Sequence, residues 1–497
     1  MRRMLICALS IAGLWLHLIS GNVHAMTANL AMPWSDGCSR PQTPYLTFYS
    51  PQRESLLFDG ESVIELRCQA GLRAVQMKWT LHRNLINTPF RTGMAEPLPG
   101  NKFAIRLDTA GLHPGFYELK VELDTGVTND AKEPLAKRPV RGICVFGWQA
   151  DRMALADSRP ADLKAFWDAA KAESEKIPLD AHEGPMTVFN AKEIDAYNVA
   201  SAYLPPDYDP AGHRSETVES CKVDIAGPDG GRVYGWLAKP APQRAAGSAA
   251  GPEGKGLFPA MLVLPGAGNN PRPQPLEHAR HGYVALDIQV HGLDVDLASY
   301  PPLAAAPPAD DPRMGSYRAI HQRCLLALRY LASRPDVDPN RIVVVGGSQG
   351  GRLSIVTAAL DHRVKAVVAT IAHNGNQPYQ TWATRCNTRK PGDGIDDPAL
   401  AADGMGLSTA PPVADDAASL REAYYDPANF AQDVRCPVLM NAGLTDPTSP
   451  PTSVFGIFNR LGTTGKEMVP LDGLGHDWSA EFDRRAWRWL DRVIDGK

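Results

Sequence analysis

The sequence predicts an α/β domain, a mostly parallel sheet with helices on both faces, preceded by an all-β sandwich. Three observations predict it. Short apolar runs such as Ala260-Met261-Leu262-Val263-Leu264 and Ile342-Val343-Val344-Val345 suit strands covered on both faces, as parallel strands are. Between such runs lie segments with apolar residues at helical spacing, so strand and helix alternate as right-handed crossovers require. Ahead of them, from about Tyr45 to Trp148, the alternation has a period of two and turn signals recur, which is the pattern of a sandwich.

A chain of 497 residues exceeds what one ordinary core organises, so two domains or more are expected. The net charge of -4 gives no basic footprint for nucleic acid and no attraction to an anionic membrane surface. Met1-Arg2-Arg3-Met4, the apolar stretch from Leu5 to Ile19 and Val23-His24-Ala25 have the layout of a secretory signal peptide over residues 1–25. A secreted or periplasmic protein is expected, with no stable membrane insertion after cleavage, because the apolar run falls short of the roughly 20 residues a span needs.

Of the 8 cysteines, Cys7 leaves with the leader, and Cys38, Cys68, Cys144, Cys221, Cys324, Cys386 and Cys436 remain. An oxidising compartment permits disulfides, and Cys68 with Cys144 is one candidate pair, but spacing does not establish it and buried thiols are the default. None sits in a C-x-x-C pair or a Cys/His cluster with metal-ligand spacing, so no zinc site is expected; no motif calls for a cofactor, and none is expected.

Taken in order, residues 26–148 read as the sandwich. Val75 to Leu81, Phe103 to Leu107 and Tyr117 to Leu123 alternate apolar and polar, with turns at Leu98-Pro99-Gly100-Asn101 and His113-Pro114-Gly115. About seven such strands suggest an immunoglobulin-like sandwich. Trp79, Phe116 and Tyr117 would form a sugar-binding surface if exposed, whereas aromatics on alternating strands ordinarily belong to a core.

Residues 149–497 read as the α/β domain. Pro160 opens a helix with Leu163, Phe166, Trp167 and Ala170 on one face, ending near Ile177-Pro178. Strands follow around Thr187 to Phe189, Glu216 to Ile225 and Arg232 to Lys239, and then a Pro/Ala/Gly/Ser-rich loop runs from Pro240 to Gly256. The apolar strands start at Ala260 and Tyr283. A proline-rich loop from Leu293 to Asp311 precedes an amphipathic helix from Tyr317 to Ser333. Val364 to Ala369 and Pro437 to Ala442 are further strands. Between them, Asn374 to Trp382 and Lys390 to Pro412 read as an insertion over the active site, and Trp478 to Ile494 is the last helix.

Chemistry concentrates in Gly346-Gly347-Ser348-Gln349-Gly350-Gly351. A G-x-S-x-G between a buried strand and a helix holds its serine on a strained turn, where flanking side chains would collide. The amide of Gln349 then opens the helix and faces the place where an oxyanion would form, and Ala267, in the glycine-rich turn after the Ala260 strand, is the candidate second donor. A serine hydroxyl needs a histidine to take its proton and a carboxylate to orient that histidine, in the order Ser, acid, His for this architecture. His476 is the one histidine after Gly443, and Asp446 follows a buried strand directly. Asp472 and Asp477 compete with Asp446, either as the acid or as caps of the last helix.

The G-x-S-Q-G-G motif, Tyr425-Asp426-Pro427-Ala428-Asn429-Phe430-Ala431, the segment from Asp446 through Pro450-Pro451-Thr452 to Phe458-Asn459, and Gly475-His476 together resemble the acetyl xylan esterase/cephalosporin C deacetylase family, carbohydrate esterase family 7. Val233-Tyr234-Gly235-Trp236-Leu237 also fits its opening, and the likeness covers roughly residues 155–497. The resemblance implies an α/β-hydrolase fold, removal of acetyl groups from sugar hydroxyls without a metal, oxyanion donors at the amides of Ala267 and Gln349, and a homo-oligomer. Three positions depart from the family pattern. Ala267 stands where a tyrosine is usual, the usual Arg-Gly-Gln is represented by Val290-His291-Gly292, and the usual closing His-Glu is His476-Asp477. A backbone donor survives a Tyr to Ala change, so these departures bear on pocket shape and substrate choice rather than on the chemistry.

The expected function is therefore a serine esterase that deacetylates xylan-type polysaccharides or oligosaccharides through an acyl-enzyme. Two alternatives stay open. One is a general carboxylesterase or serine peptidase on the same sheet, and the other is a carbohydrate-binding protein with a vestigial hydrolase domain.

Overall fold

Where the sequence alternates with a period of two, the computed structural model forms strands with one face buried. It describes residues 45–126, 140–201, 212–241, 257–302, 316–388 and 417–496. The expected leader over 1–25, Cys38, most of the Pro240 to Gly256 loop, part of the Leu293 to Asp311 loop and the 390–412 stretch lie outside the described residues.

Among the described residues, nine strands lie between Leu46 and Trp148: β1 (Leu46–Tyr49), β2 (Leu57–Phe58), β3 (Val63–Ala70), β4 (Gln76–Arg83), β5 (Pro89–Met94), β6 (Glu96–Leu98), β7 (Lys102–Asp108), β8 (Gly115–Asp124) and β9 (Val140–Trp148). They form two sheets, ordered β1-β3-β7-β6 and β2-β9-β8-β4-β5. The count exceeds the expected seven because β2 and β6 are only two and three residues long, too short for any period to show. In β3, Ile64, Leu66 and Cys68 are fully buried while their neighbours are not, as alternation demands. The inner faces of the two sheets meet closely, and a Cβ added at Gly142 of β9 would come within 2.7 Å of Leu46 Cδ1 on β1. Phe116 and Tyr117 lie in this core at 0% and 2% exposure, so they offer no sugar-binding surface. Cys68 and Cys144 are both buried, unbridged thiols.

The second half builds a ten-stranded sheet from β10 (His182–Glu183), β11 (Thr187–Asn190), β12 (Thr217–Ala226), β13 (Arg232–Pro240), β14 (Phe258–Leu264), β15 (Val284–Gln289), β16 (Val337–Gly347), β17 (Val364–Thr370), β18 (Val438–Gly443) and β19 (Lys466–Leu471). Its order is β10-β12-β13-β15-β14-β16-β17-β18-β19, with β11 also on β12. From β15 to β19 every pairing is parallel, and the β10 to β13 end is antiparallel. Residues of β14 divide between two cores. Ala260, Leu262 and Leu264 face the helices Ser316–Ser333 and Gln349–Leu360, and Met261 and Val263 face Phe482, Trp487, Trp489 and Leu490 of the last helix, Ala480–Asp495. Residues Ser39–Lys497 make one compact unit, in which the N-terminal sheets meet the helices Pro451–Arg460 and Gln377–Thr388 and the loop after β19. No helix among the described residues is long and apolar enough to cross a membrane.

Candidate active site

Ser348 sits between β16 and the helix Gln349–Leu360 with φ 56 and ψ -117, a strained conformation for a residue with a side chain. The flanking glycines explain how the turn fits. A Cβ at Gly346 would stand 2.6 Å from the Gly350 carbonyl carbon, and one at Gly350 would stand 2.1 Å from the Leu264 carbonyl oxygen. The Ser348 N–H donates to Thr370 O at 2.9 Å, and the Ser348 carbonyl accepts from His373 N at 3.1 Å.

Two further loops converge on this hydroxyl from the ends of β18 and β19. His476 Nε2 lies 3.0 Å from Ser348 Oγ, and His476 Nδ1 lies 2.8 Å from Asp446 Oδ2. The other Asp446 oxygen accepts the Thr448 and Ser449 N–H groups, each at 2.8 Å. Asp446 is 2% exposed, so these bonds replace the water it has lost. The two loops are also tied to each other, since Thr445 N and Thr445 Oγ1 both donate to Leu474 O, at 3.1 and 2.9 Å. The competing carboxylates are placed elsewhere. Asp472 accepts Leu56 N, and the last helix is capped by Ser479, whose Oγ accepts from Phe482 N, rather than by Asp477.

Gln349 is buried as the first residue of its helix. Ala267 lies exposed in the turn after β14, the strand paired with β16, and a Cβ at neighbouring Gly266 would be 3.9 Å from Gly347 O. Beyond that turn, Arg272 clasps the buried Asp287 within β15 with two bonds of 2.7 and 3.0 Å. This pair ties the chain leaving the turn to the sheet.

His373 is the residue that sequence reasoning missed. It follows β17, its ring Nδ1 stands 3.4 Å from Ser449 Oγ, and burial, with the Arg352 guanidinium adding to it, pushes its pKa down to about 4. The ring is therefore neutral at neutral pH. Its only sequence signal was its place at a strand end, within Ala372-His373-Asn374-Gly375-Asn376.

Comparison with known proteins gives the family. The family model described as acetyl xylan esterase (AXE1) matches residues 198–493, more than half of the chain. The chain belongs to the acetyl xylan esterase family. It is an enzyme of the carboxylic ester hydrolase class, of the serine type. Acetyl esterase Axe7A from Xylanibacter ruminicola is 25% identical over 395 residues, covering 77% of this chain and 75% of that protein. Two solved structures are similar. The acetyl xylan esterase from Paenibacillus sp. R4 is 24% identical with a TM-score of 0.49, covering 69% of this chain and 98% of that one. Acetyl xylan esterase 1 from Thermoanaerobacterium sp. JW/SL YS485 is 19% identical with a TM-score of 0.48, covering 69% and 97%.

In this acetyl xylan esterase family member, one group of His, Asp, Glu and Cys side chains among the described residues is compact enough to hold a metal: His213, Glu277 and His281. His213 Nε2 and Glu277 Oε1 are 2.5 Å apart, a hydrogen-bond distance, whereas two donors on one tetrahedral zinc stand about 3.3 Å apart. Glu277 Oε2 takes Asn198 Nδ2 at 3.1 Å and faces Arg280 at 3.8 Å, and His281 stacks on Trp487 at 3.7 Å. The carboxylate is thus already compensated, and the cluster locks the segment before β12 to the helix Leu276–Arg280.

Proposed function

We propose that this chain is a secreted or periplasmic esterase that removes acetyl groups from sugar hydroxyls of xylan-type polysaccharides or oligosaccharides by way of an acyl-enzyme. The observation that carries this reading is the hydrogen-bonded relay, with His476 Nε2 at 3.0 Å from Ser348 Oγ and Nδ1 at 2.8 Å from Asp446 Oδ2, in a chain of this family. Ser348 Oγ attacks the acetyl carbonyl as His476 Nε2 takes its proton. His476 returns that proton to the departing sugar oxygen, and water then repeats the sequence on the acetyl-serine. Asp446 holds His476 with the proton on Nδ1 and stabilises the imidazolium. The amides of Gln349 and Ala267 receive the oxyanion, and such a donor is worth on the order of 100- to 1000-fold in rate. Residues 1–25 are proposed as the leader, 26–148 as an immunoglobulin-like accessory domain and 149–497 as the catalytic domain.

The test is acetate release by the purified mature protein from acetylated xylan, acetylated xylo-oligosaccharides and a peptide amide, beside Ser348→Ala. Release from the acetylated glycans that vanishes in the variant supports the reading. No release from any acetyl ester, together with no labelling of Ser348 by a serine-directed phosphonate, refutes it. Turnover of the peptide amide alone would make the enzyme a peptidase.

A further inference from the structure

The arms of the candidate site are loops at the ends of three adjacent strands: 371–376 after β17, the Asp446 loop after β18 and the His476 loop after β19. All three are tied to the N-terminal sheets. On the acid arm, Thr452 Oγ1 donates to Asn84 Oδ1 at 3.0 Å. Past the 371–376 arm, the Tyr379 hydroxyl donates to the Asn84 carbonyl oxygen at 2.7 Å. On the histidine arm, Asp472 receives the Leu56 N–H at 3.1 and 3.0 Å on its two oxygens.

Asn84 is 3% exposed, and its other polar groups are consumed within its own sheet. Its N–H donates to Phe116 O at 2.9 Å and its Nδ2 to Glu118 Oε1 at 3.0 Å. The next residue, Leu85, has φ 67 and donates its N–H to the same Glu118 oxygen at 2.8 Å. Asn84 is therefore fixed from behind and presents two acceptors forward. Apolar contacts close around it: Phe116 meets Phe455 with ring centroids 4.8 Å apart, and Ile86 packs with Tyr379 and Trp382.

The helix Pro451–Arg460 begins behind Pro450, which supplies no side-chain cap. Its first turn is held instead by Pro450 O, which accepts the Ser453 N–H at 2.7 Å, by Ser453 Oγ, which donates to Gly375 O, and by the bond from Thr452 Oγ1 to Asn84. Asp446 is connected to that turn through the Thr448 and Ser449 amides it accepts.

We propose that Asn84 is a positioning residue for the reaction, and that the N-terminal sheets brace the acid and histidine arms against Ser348. The proposal rests on the Ser348, His476 and Asp446 reading above. Asn84 touches no reacting atom and acts through Thr452. Losing a buried bond of this kind leaves its partner unsatisfied, and a misplacement of about 1 Å near the chemistry costs on the order of 100-fold in rate.

The experiment compares the full-length mature enzyme with Asn84→Ala, Thr452→Val, the double variant and Thr452→Ser. It records kcat, KM, the rate of phosphonate labelling of Ser348, and the melting temperature. We expect kcat and the labelling rate to fall together by about tenfold in Asn84→Ala and in Thr452→Val, with KM within about twofold. The double variant should also lose about tenfold rather than about 100-fold, because both changes remove the same Thr452–Asn84 bond and the bond from Asn84 to Glu118 that Asn84→Ala also breaks lies within the N-terminal sheet. Thr452→Ser, which keeps the hydroxyl, should recover the rate. If Asn84→Ala does not fold, the Thr452→Val and Thr452→Ser pair decides the matter. Unchanged kcat in folded Thr452→Val, or fully additive losses, overturns the proposal. A wild-type enzyme that neither releases acetate nor takes the phosphonate overturns the underlying triad reading instead.

Discussion

Replacing Asp446 with asparagine should lower kcat by about 10⁴-fold while the fold survives. The magnitude follows from what each oxygen does. Oδ1 accepts two backbone N–H groups, from Thr448 and Ser449, and Oδ2 faces His476 Nδ1. An asparagine must turn its NH₂ to one of these two sides. Turned toward Thr448 and Ser449 it would set donor against donors in a dry site and forfeit two bonds, at about 1–3 kcal/mol each. Its oxygen therefore stays on the amides and its NH₂ faces Nδ1. His476 must then carry its proton on Nε2, pointing at Ser348 Oγ, where it can no longer accept one. The assay is steady-state acetate release, with circular dichroism to show that the fold is kept. A loss smaller than about tenfold would refute the reasoning and move the acid role to another carboxylate.

Two further outcomes follow from the surroundings of the site. Gly350→Ala places a Cβ 2.1 Å from Leu264 O, at the end of the strand that leads into the Ala267 turn. Activity should fall by about 100-fold or more and stability by about 1–3 kcal/mol, whereas Gly60→Ala, where a Cβ meets nothing within 4 Å, should change neither. Asp472 supplies a pH test, because burial, opposed in part by the Leu56 N–H, pushes its carboxyl up to about 6. A carboxyl whose folded pKa is raised binds its proton more tightly in the native state. Its contribution to stability is present below about pH 4 and is lost as pH rises through about 6. Asp472→Asn, which keeps an acceptor for Leu56, should therefore be more stable than wild type at pH 8, by about 1–3 kcal/mol, and equal to it near pH 4. Urea unfolding at the two pH values reads this directly, and an equal difference at both would contradict it.

The parallel strands were legible because a strand buried on both faces must be apolar throughout, and β14, β15 and β18 are buried at nearly every position. The Ser348 turn was legible because its steric demand for glycine is written into the sequence at fixed spacing. By contrast, β19, Lys-Glu-Met-Val-Pro-Leu, is half-buried at every position and carries a proline, so it has neither an apolar run nor an alternation to betray it. The helix Gln377–Thr388 within the expected insertion also went unread. Contacts such as Thr452 to Asn84 join residues 368 positions apart. No local period encodes them, and only the packing of the N-terminal sheets against the helices and loops that follow β17, β18 and β19 brings them together.

The family motif Tyr425-Asp426-Pro427-Ala428-Asn429-Phe430-Ala431 carries no reacting group, and its place in the fold gives it a structural reason to exist. Ile371, Asn374 and Asn376 all have positive φ, at 40, 59 and 54, within the arm whose His373 N–H holds the Ser348 carbonyl. Such residues cost about 1–3 kcal/mol each and persist only when their surroundings over-determine them. Asp426 supplies that determination. Its buried carboxylate accepts Asn376 N at 3.2 Å, Gln377 N at 2.8 Å and Ala428 N at 2.8 Å, joining the strained arm to the helix Pro427–Ala431. Asn441 does the same at the other end, its Oδ1 accepting Ile371 N at 2.8 Å. Arg352, on the helix Gln349–Leu360, closes the circuit by donating to Tyr425 O at 2.7 Å. The motif therefore sets the geometry of the Ser348 turn from behind, as Asn84 is proposed to set that of the Asp446 arm. Its aspartate must be an acceptor rather than an acid, because all three of its partners are N–H donors.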